Sequence, residues 1–164
     1  MTIRAVALGL LGVMLCSLAC SGESFRTPFD LHLNIDGKRY YEEHFERMPY
    51  VYDDAVFLFN QDHFGVALNE KKEGGWSVDY QPDLSKADIV FKVTQEPDKQ
   101  GGFMMMLVIE NRTSRTLNME ALMTVPGQKD VFKTTIVPVR PGLTNFESWP
   151  HPIVKLVLRS FALQ

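Results

Sequence analysis

Leu117-Asn118-Met119-Glu120-Ala121-Leu122-Met123-Thr124-Val125 is the stretch on which the fold turns. Leu117, Met119, Ala121, Met123 and Val125 recur at every second position, and their neighbours are more polar, Leu122 excepted. Successive side chains of a strand point to opposite faces, so a period of two marks a strand with one wet face. The same reading extends outward. Trp76, Val78 and Tyr80 alternate with Ser77, Asp79 and Gln81. Phe29-Asp30-Leu31-His32-Leu33-Asn34-Ile35 alternates too, and it ends at Asp36-Gly37, a hairpin-turn signal. Val56 to Phe59 and Phe103 to Ile109 are apolar on both faces, which suits central strands covered on both sides. Ile89 to Val93, Phe132 to Val137 and Ile153 to Leu163 supply further strands.

Chain breakers fall between these runs: Gly74-Gly75, Pro97, Gly101-Gly102, Pro126-Gly127, Pro141-Gly142, Pro150 and Pro152. About eight strands at short spacing are predicted. One segment reads two ways. Tyr41, Phe45 and Met48 sit at i, i+4 and i+7, the spacing of a short helix over 38–48. The same residues could form the return strand of the Asp36-Gly37 hairpin. Many short strands with turn signals predict an all-β fold, an antiparallel β-sandwich. The half from Gly102 to Gln164 resembles the immunoglobulin-like architecture in strand pattern but lacks its Cys…Trp…Cys signature. That resemblance implies architecture and carries no activity.

The N-terminus reads as an address. Arg4 precedes an apolar run, Ala5 to Leu15, and then Ser17-Leu18-Ala19-Cys20. A run of about eleven residues is too short to span a bilayer core, which takes about 20. A positive start, an apolar core and a small residue before the cut are the parts of a secretory signal. Ser17-Leu18-Ala19-Cys20 resembles the bacterial lipobox, with Ser17 where Leu is usual. The resemblance implies that Cys20 is the first mature residue and carries a diacylglyceryl group. Ser21 follows where Asp would retain a Gram-negative lipoprotein in the inner membrane, so the resemblance points to the outer membrane. The 144 residues after Cys20 contain no other Cys, which leaves the thiol without an internal disulfide partner. The expected organisation is a signal peptide over 1–19, lipidated Cys20 and a tether over 20–28, and one domain over 29–164. Without residues 1–19 the chain has 16 basic and 20 acidic residues, a net −4. No Lys/Arg cluster appears, so nucleic acid is not an expected partner. The expected partners are the membrane, through the lipid, and another envelope protein.

Candidate chemistry is sparse. His32, His44, His63 and His151 show no metal-ligand spacing, and neither a metal nor a cofactor is expected. Asp62-His63 is an acid–base neighbour pair that would act together only across a turn. Glu42-Glu43 and Asp53-Asp54 are consecutive, which suits solvated charge better than spaced acid/base work. Met104-Met105-Met106, with Met119 and Met123 on the next strand, could form a thioether cluster or simply fill the core. Asn111-Arg112-Thr113 matches a glycosylation sequon, and a strand-end turn accounts for it equally. No catalytic residue is assigned. The candidate binding loop is Phe146 to Pro152, where Trp149 and His151 each precede a proline and are held extended. Trp149 there is either a recognition residue or a plug for the end of the sandwich. The expected function is a non-catalytic accessory or protein-interaction module, the alternatives being a small-ligand or glycan-binding module using Trp149, Tyr80 and Trp76, or a hydrolase.

Overall fold

The structure, a computed structural model, describes residues 24–99 and 101–164; the signal over 1–19 and Cys20 lie outside the described residues. In chain order the strands are β1 (Phe29–Asn34), β2 (Tyr40–Phe45), β3 (Val51–Tyr52), β4 (Ala55–Leu58), β5 (His63–Glu70), β6 (Trp76–Gln81), β7 (Ile89–Pro97), β8 (Phe103–Asn111), β9 (Leu117–Thr124), β10 (Phe132–Thr134), β11 (Thr144–Trp149) and β12 (Lys155–Leu163). One sheet has the order β10-β9-β12-β4-β3, a second β11-β8-β7-β5-β6, and β1-β2 is a separate hairpin. All strand pairs are antiparallel.

Alternation builds the core between the two five-stranded sheets. Met105, Leu107 and Ile109 of β8 are buried, as are Ile89, Phe91 and Val93 of β7 and Phe64, Val66 and Leu68 of β5. Val56 and Leu58 of β4, Leu156 and Leu158 of β12, and Leu117 and Ala121 of β9 are buried in the same core. Each such large side chain contributes about 1.5–3 kcal/mol by leaving water. The expected all-β sandwich is therefore observed, with more strands than the eight predicted, because short pieces such as β3 and β10 carry too few residues to show a period. The strands from Gly102 onward are divided between both sheets, and their buried residues belong to one core with those of β4, β5 and β7.

The segment 38–48 forms no helix: Tyr40–Phe45 is β2, paired Asp30 to His44 and His32 to Glu42. Residues four apart share a face in a strand as well as in a helix, so Tyr41 and Phe45 did not discriminate. A tight turn joins the two strands. Gly37 takes φ +80°. Asp36 Oδ1 accepts the Lys38 and Arg39 N–H groups at 3.1 and 2.9 Å, and Arg39 Nε donates to Asp36 Oδ2 at 2.7 Å. These contacts hold the carboxyl down at about 2, chiefly through the Arg39 backbone N–H. Beneath the hairpin, Leu31 and Leu33 are buried. Phe29 stacks on Phe45 and meets Phe59 edge-on, at centroid distances of 5.3 and 5.1 Å. The hairpin thereby adds its apolar face to the core of the sandwich.

Residues 24–26, read above as tether, belong to the fold. Phe25 bridges Pro49, Arg26 N–H donates to Met48 O at 2.8 Å, and Tyr50 N–H donates to Ser24 O at 3.0 Å.

Candidate functional site

Asp62 and His63 do meet a turn, but it separates them. Gln61 takes φ +74° and Asp62 N–H donates to Phe59 O at 3.1 Å, which turns the Asp62 carboxylate inward. There it meets Arg26. Nε donates to Oδ1 at 3.2 Å and Nη2 to Oδ2 at 2.5 Å, and the two side chains are only 6% and 14% exposed. Arg26 also donates to Pro49 O at 2.5 Å and Phe57 O at 2.6 Å. Its guanidinium lies 4.1 Å from the Tyr50 ring centroid and 5.0 Å from that of Phe59. Phe59 N–H donates to Asp62 Oδ2 at 2.7 Å. Burial pushes the Asp62 carboxyl up, and Arg26 and the Phe59 N–H pull it down by less. Pairing thus does not fully offset the desolvation of the carboxylate. His63 sits exposed at the start of β5, opposite Lys92. A cleft of about 300 Å³ lies beside Arg26, between Thr27–His32 and Asn60–Asp62. The pair is a structural clamp on the N-terminal segment. Sequence reasoning missed Arg26, because an isolated Arg after a Phe carries no periodic signal.

The remaining candidates disperse. His32 faces Glu42 at 3.2 Å and His44 faces Asp30 at 2.7 Å, both on the exposed face of the β1–β2 hairpin. The Asp30 contact raises the His44 imidazole above its ordinary value. Glu43 instead accepts from the Tyr41 hydroxyl and pushes that phenol up to about 12. Asp53 and Asp54 form the β3–β4 turn at φ 50° and 56°, with Asp54 paired to Lys71. Met105 is buried while Met104 and Met106 lie on the opposite face. β8 and β9 belong to different sheets, so Met119 and Met123 are not cross-strand neighbours of the triplet; Met105 lies in the hydrophobic core and Met119 and Met123 pack against that core. Among the described residues no group of three His, Cys, Asp or Glu side chains could hold a metal ion. The sequon Asn111 is fully buried. Its Nδ2 donates to Arg115 O and Val139 O at 2.8 and 2.9 Å, and its Oδ1 accepts from Thr113 N–H at 3.0 Å.

In the candidate binding loop, Trp149 is 8% exposed and its indole N–H donates to Thr134 Oγ1 at 2.9 Å. It closes the core instead of being displayed, since its register partner on β8 is buried Met105. His151 is half-buried and lines an apolar surface groove of about 370 Å³ with Pro152, Phe132, Met123, Val125 and Ile35. Tyr80 is also occupied, stacked on Tyr50 with ring centroids 4.3 Å apart. Large exposed apolar side chains collect elsewhere, along the edge made by β10, β11 and their connection. Val131 is 59% exposed, Phe132 38%, Val137 57%, Leu143 51% and Phe146 69%. Val137 is held against β11, donating its N–H to Glu147 at 2.9 Å and accepting from Asn145 Nδ2 at 3.2 Å. Phe146 lies opposite half-buried Val108.

No family model matches the chain, and neither a curated protein nor a solved structure shows significant similarity to it.

Proposed function

We propose that this chain is a lipid-anchored envelope protein whose β-sandwich is a non-catalytic interaction module on the periplasmic side of the outer membrane. Two features support the reading. Ser17-Leu18-Ala19-Cys20 supplies the lipid-bearing cysteine, and Ser21 supplies the outer-membrane destination. The observation that carries the module is the apolar edge. Among the described residues, five of the seven large exposed hydrophobic side chains belong to Val131, Phe132, Val137, Leu143 and Phe146, all within residues 131–146. Scattered exposed apolar residues are ordinary, whereas a gathered set marks an interaction surface. The His151 groove continues this edge past Phe132. Of the aromatics offered for a small ligand, Trp149 is engaged with Thr134 and Tyr80 with Tyr50, while Trp76 is half-buried with the Arg115 guanidinium 5.6 Å from its ring centroid.

Photo-crosslinkers placed at Phe146 and Phe132 test the module, with Asp79 on the opposite edge strand as the comparison. A discrete adduct in intact envelopes is expected from the first two positions and not from Asp79. Equal labelling at all three, or none, refutes the edge as the partner surface. The anchor is tested separately. Cys20→Ser should leave the protein outside the membrane fraction, and unchanged fractionation refutes lipidation.

A further inference from the structure

The chain between the anchor and the fold is short, and that limits how the domain can sit. Ser24 is the first described residue, and it is already tied to Tyr50 by a backbone hydrogen bond of 3.0 Å. Two residues on, Arg26 is clamped by Asp62, Pro49 and Phe57. From Cys20 to Ser24 the chain spans at most about 14 Å when fully extended. A domain of this length has a radius of gyration of about 14 Å, so the tether reaches no further than that radius. The corner at Ser24 is therefore confined to the bilayer surface, while the far side of the domain is beyond the tether's reach.

That corner displays side chains suited to an interface. Arg47 is exposed and its guanidinium lies 4.1 Å from the centroid of the Phe25 ring. The neighbouring acid, Glu46, lies 3.7 Å from His44. Tyr52, 55% exposed, is on β3, the edge strand that continues from Pro49 and Tyr50. A Phe ring with a guanidinium on its face presents apolar surface and a cation together, and the exposed Tyr52 adds an amphipathic ring of the kind found at headgroup level. The β10 edge stands four strand spacings from β3 in the same sheet, about 19 Å away.

We propose that the corner carrying Phe25, Arg47 and Tyr52 is the membrane-apposed surface, resting on phospholipid headgroups, with the β10/β11 edge turned toward the aqueous compartment. This rests on the reading of Cys20 as the lipid-bearing residue. It gives the anchor a second role, because the lipid then sets which side of the module meets a partner.

The test uses the full lipidated chain in vesicles of phosphatidylethanolamine and phosphatidylglycerol. Single cysteines at Thr27→Cys, Glu46→Cys, Lys129→Cys and Leu143→Cys carry a fluorophore, and the quencher is a nitroxide on the lipid headgroup. Flotation of each labelled protein is read in parallel. The expected result is loss of fluorescence at Thr27 and Glu46 with none at Lys129 and Leu143. Equal quenching at all four positions, or quenching at Leu143 alone, in protein that floats with the vesicles overturns the orientation and leaves the anchor standing. Failure to float overturns the anchor, and the orientation falls with it.

Discussion

Arg26→Ala removes the clamp that joins the N-terminal segment to the core. The variant loses two bonds to the Asp62 carboxylate and two to the carbonyls of Pro49 and Phe57. It also leaves Asp62, only 14% exposed, without its cation. Stranding one partner of a buried pair costs about 3–5 kcal/mol, far more than the pair is worth against an apolar replacement. In a domain with about 5–15 kcal/mol of total stability, that loss is large. It corresponds to a fall in Tm of roughly 6–20 °C at about 2–4 °C per kcal/mol. The loss also depends on pH. Burial already holds the Asp62 carboxyl above its ordinary value, and without Arg26 its main downward pull is gone. A carboxyl raised in the native state favours folding when protonated. That contribution is present below the unfolded carboxylate value and disappears as pH rises through the folded one. The Arg26→Ala defect should therefore shrink on acidification. Adding Asp62→Asn should recover part of the loss at neutral pH by removing the stranded charge. Urea unfolding, followed by the fluorescence of buried Trp149, reads all three quantities. A cost below about 1 kcal/mol, the range of an exposed pair, refutes the clamp. So does a cost independent of pH, or a double variant no better than the single one.

Three further perturbations probe close packing and local hydrogen bonds. Gly65→Ala would place its Cβ 2.3 Å from Ala87 Cβ and 3.2 Å from Gln81 O. Overpacking of this kind costs about 1–3 kcal/mol, and Ala87→Gly should relieve it in the double variant measured by thermal unfolding. Asn111→Ala removes the Nδ2 bonds to Val139 O and Arg115 O, which keep the Leu117 N–H and the Thr113 hydroxyl as donors, and leaves the Thr113 N–H without its acceptor. Denaturation should report a loss of about 1–3 kcal/mol for that one orphaned group, and Asn111→Asp should be worse because it turns an acceptor toward those carbonyls. Asp36, held at about 2 by the Arg39 and Lys38 contacts, stabilises its turn above the unfolded carboxylate value. An NMR titration should show that contribution lost only as pH falls toward 2, and a midpoint near the ordinary carboxylate value would contradict the turn geometry.

Strand segments were largely readable in the chain because side-chain period and burial are the same fact seen twice. Met105 between Met104 and Met106 shows it: alternation alone assigned the middle residue to one face, and that face is the core. The Asp36-Gly37 signal was likewise local, since Gly37 needs positive φ and Asp36 accepts from residues two and three further on. The strand choice over 38–48 was not readable, because Tyr41 and Phe45 satisfy both periods. What settled it was Leu31 and Leu33 burying beneath the hairpin.

Local pattern thus established an all-β chain and its turns, and Ser17 to Cys20 resembles a lipobox. Local pattern could not say which strands share a sheet. Sheet order depends on backbone pairing between distant residues, which leaves no mark on any one segment. Hence β8 and β9, adjacent in sequence, lie in opposite sheets, and the Met residues they carry are not cross-strand neighbours. It could not find the Arg26–Asp62 clamp either, whose partners lie 36 residues apart and meet only because Asp62 turns inward beneath Tyr50 and Phe59. Trp149 belongs to the same class. Its place in the loop before Pro150 allowed either display or a plug, and an indole that finds an acceptor at half-buried Thr134 loses more by facing water than by filling the end of the core.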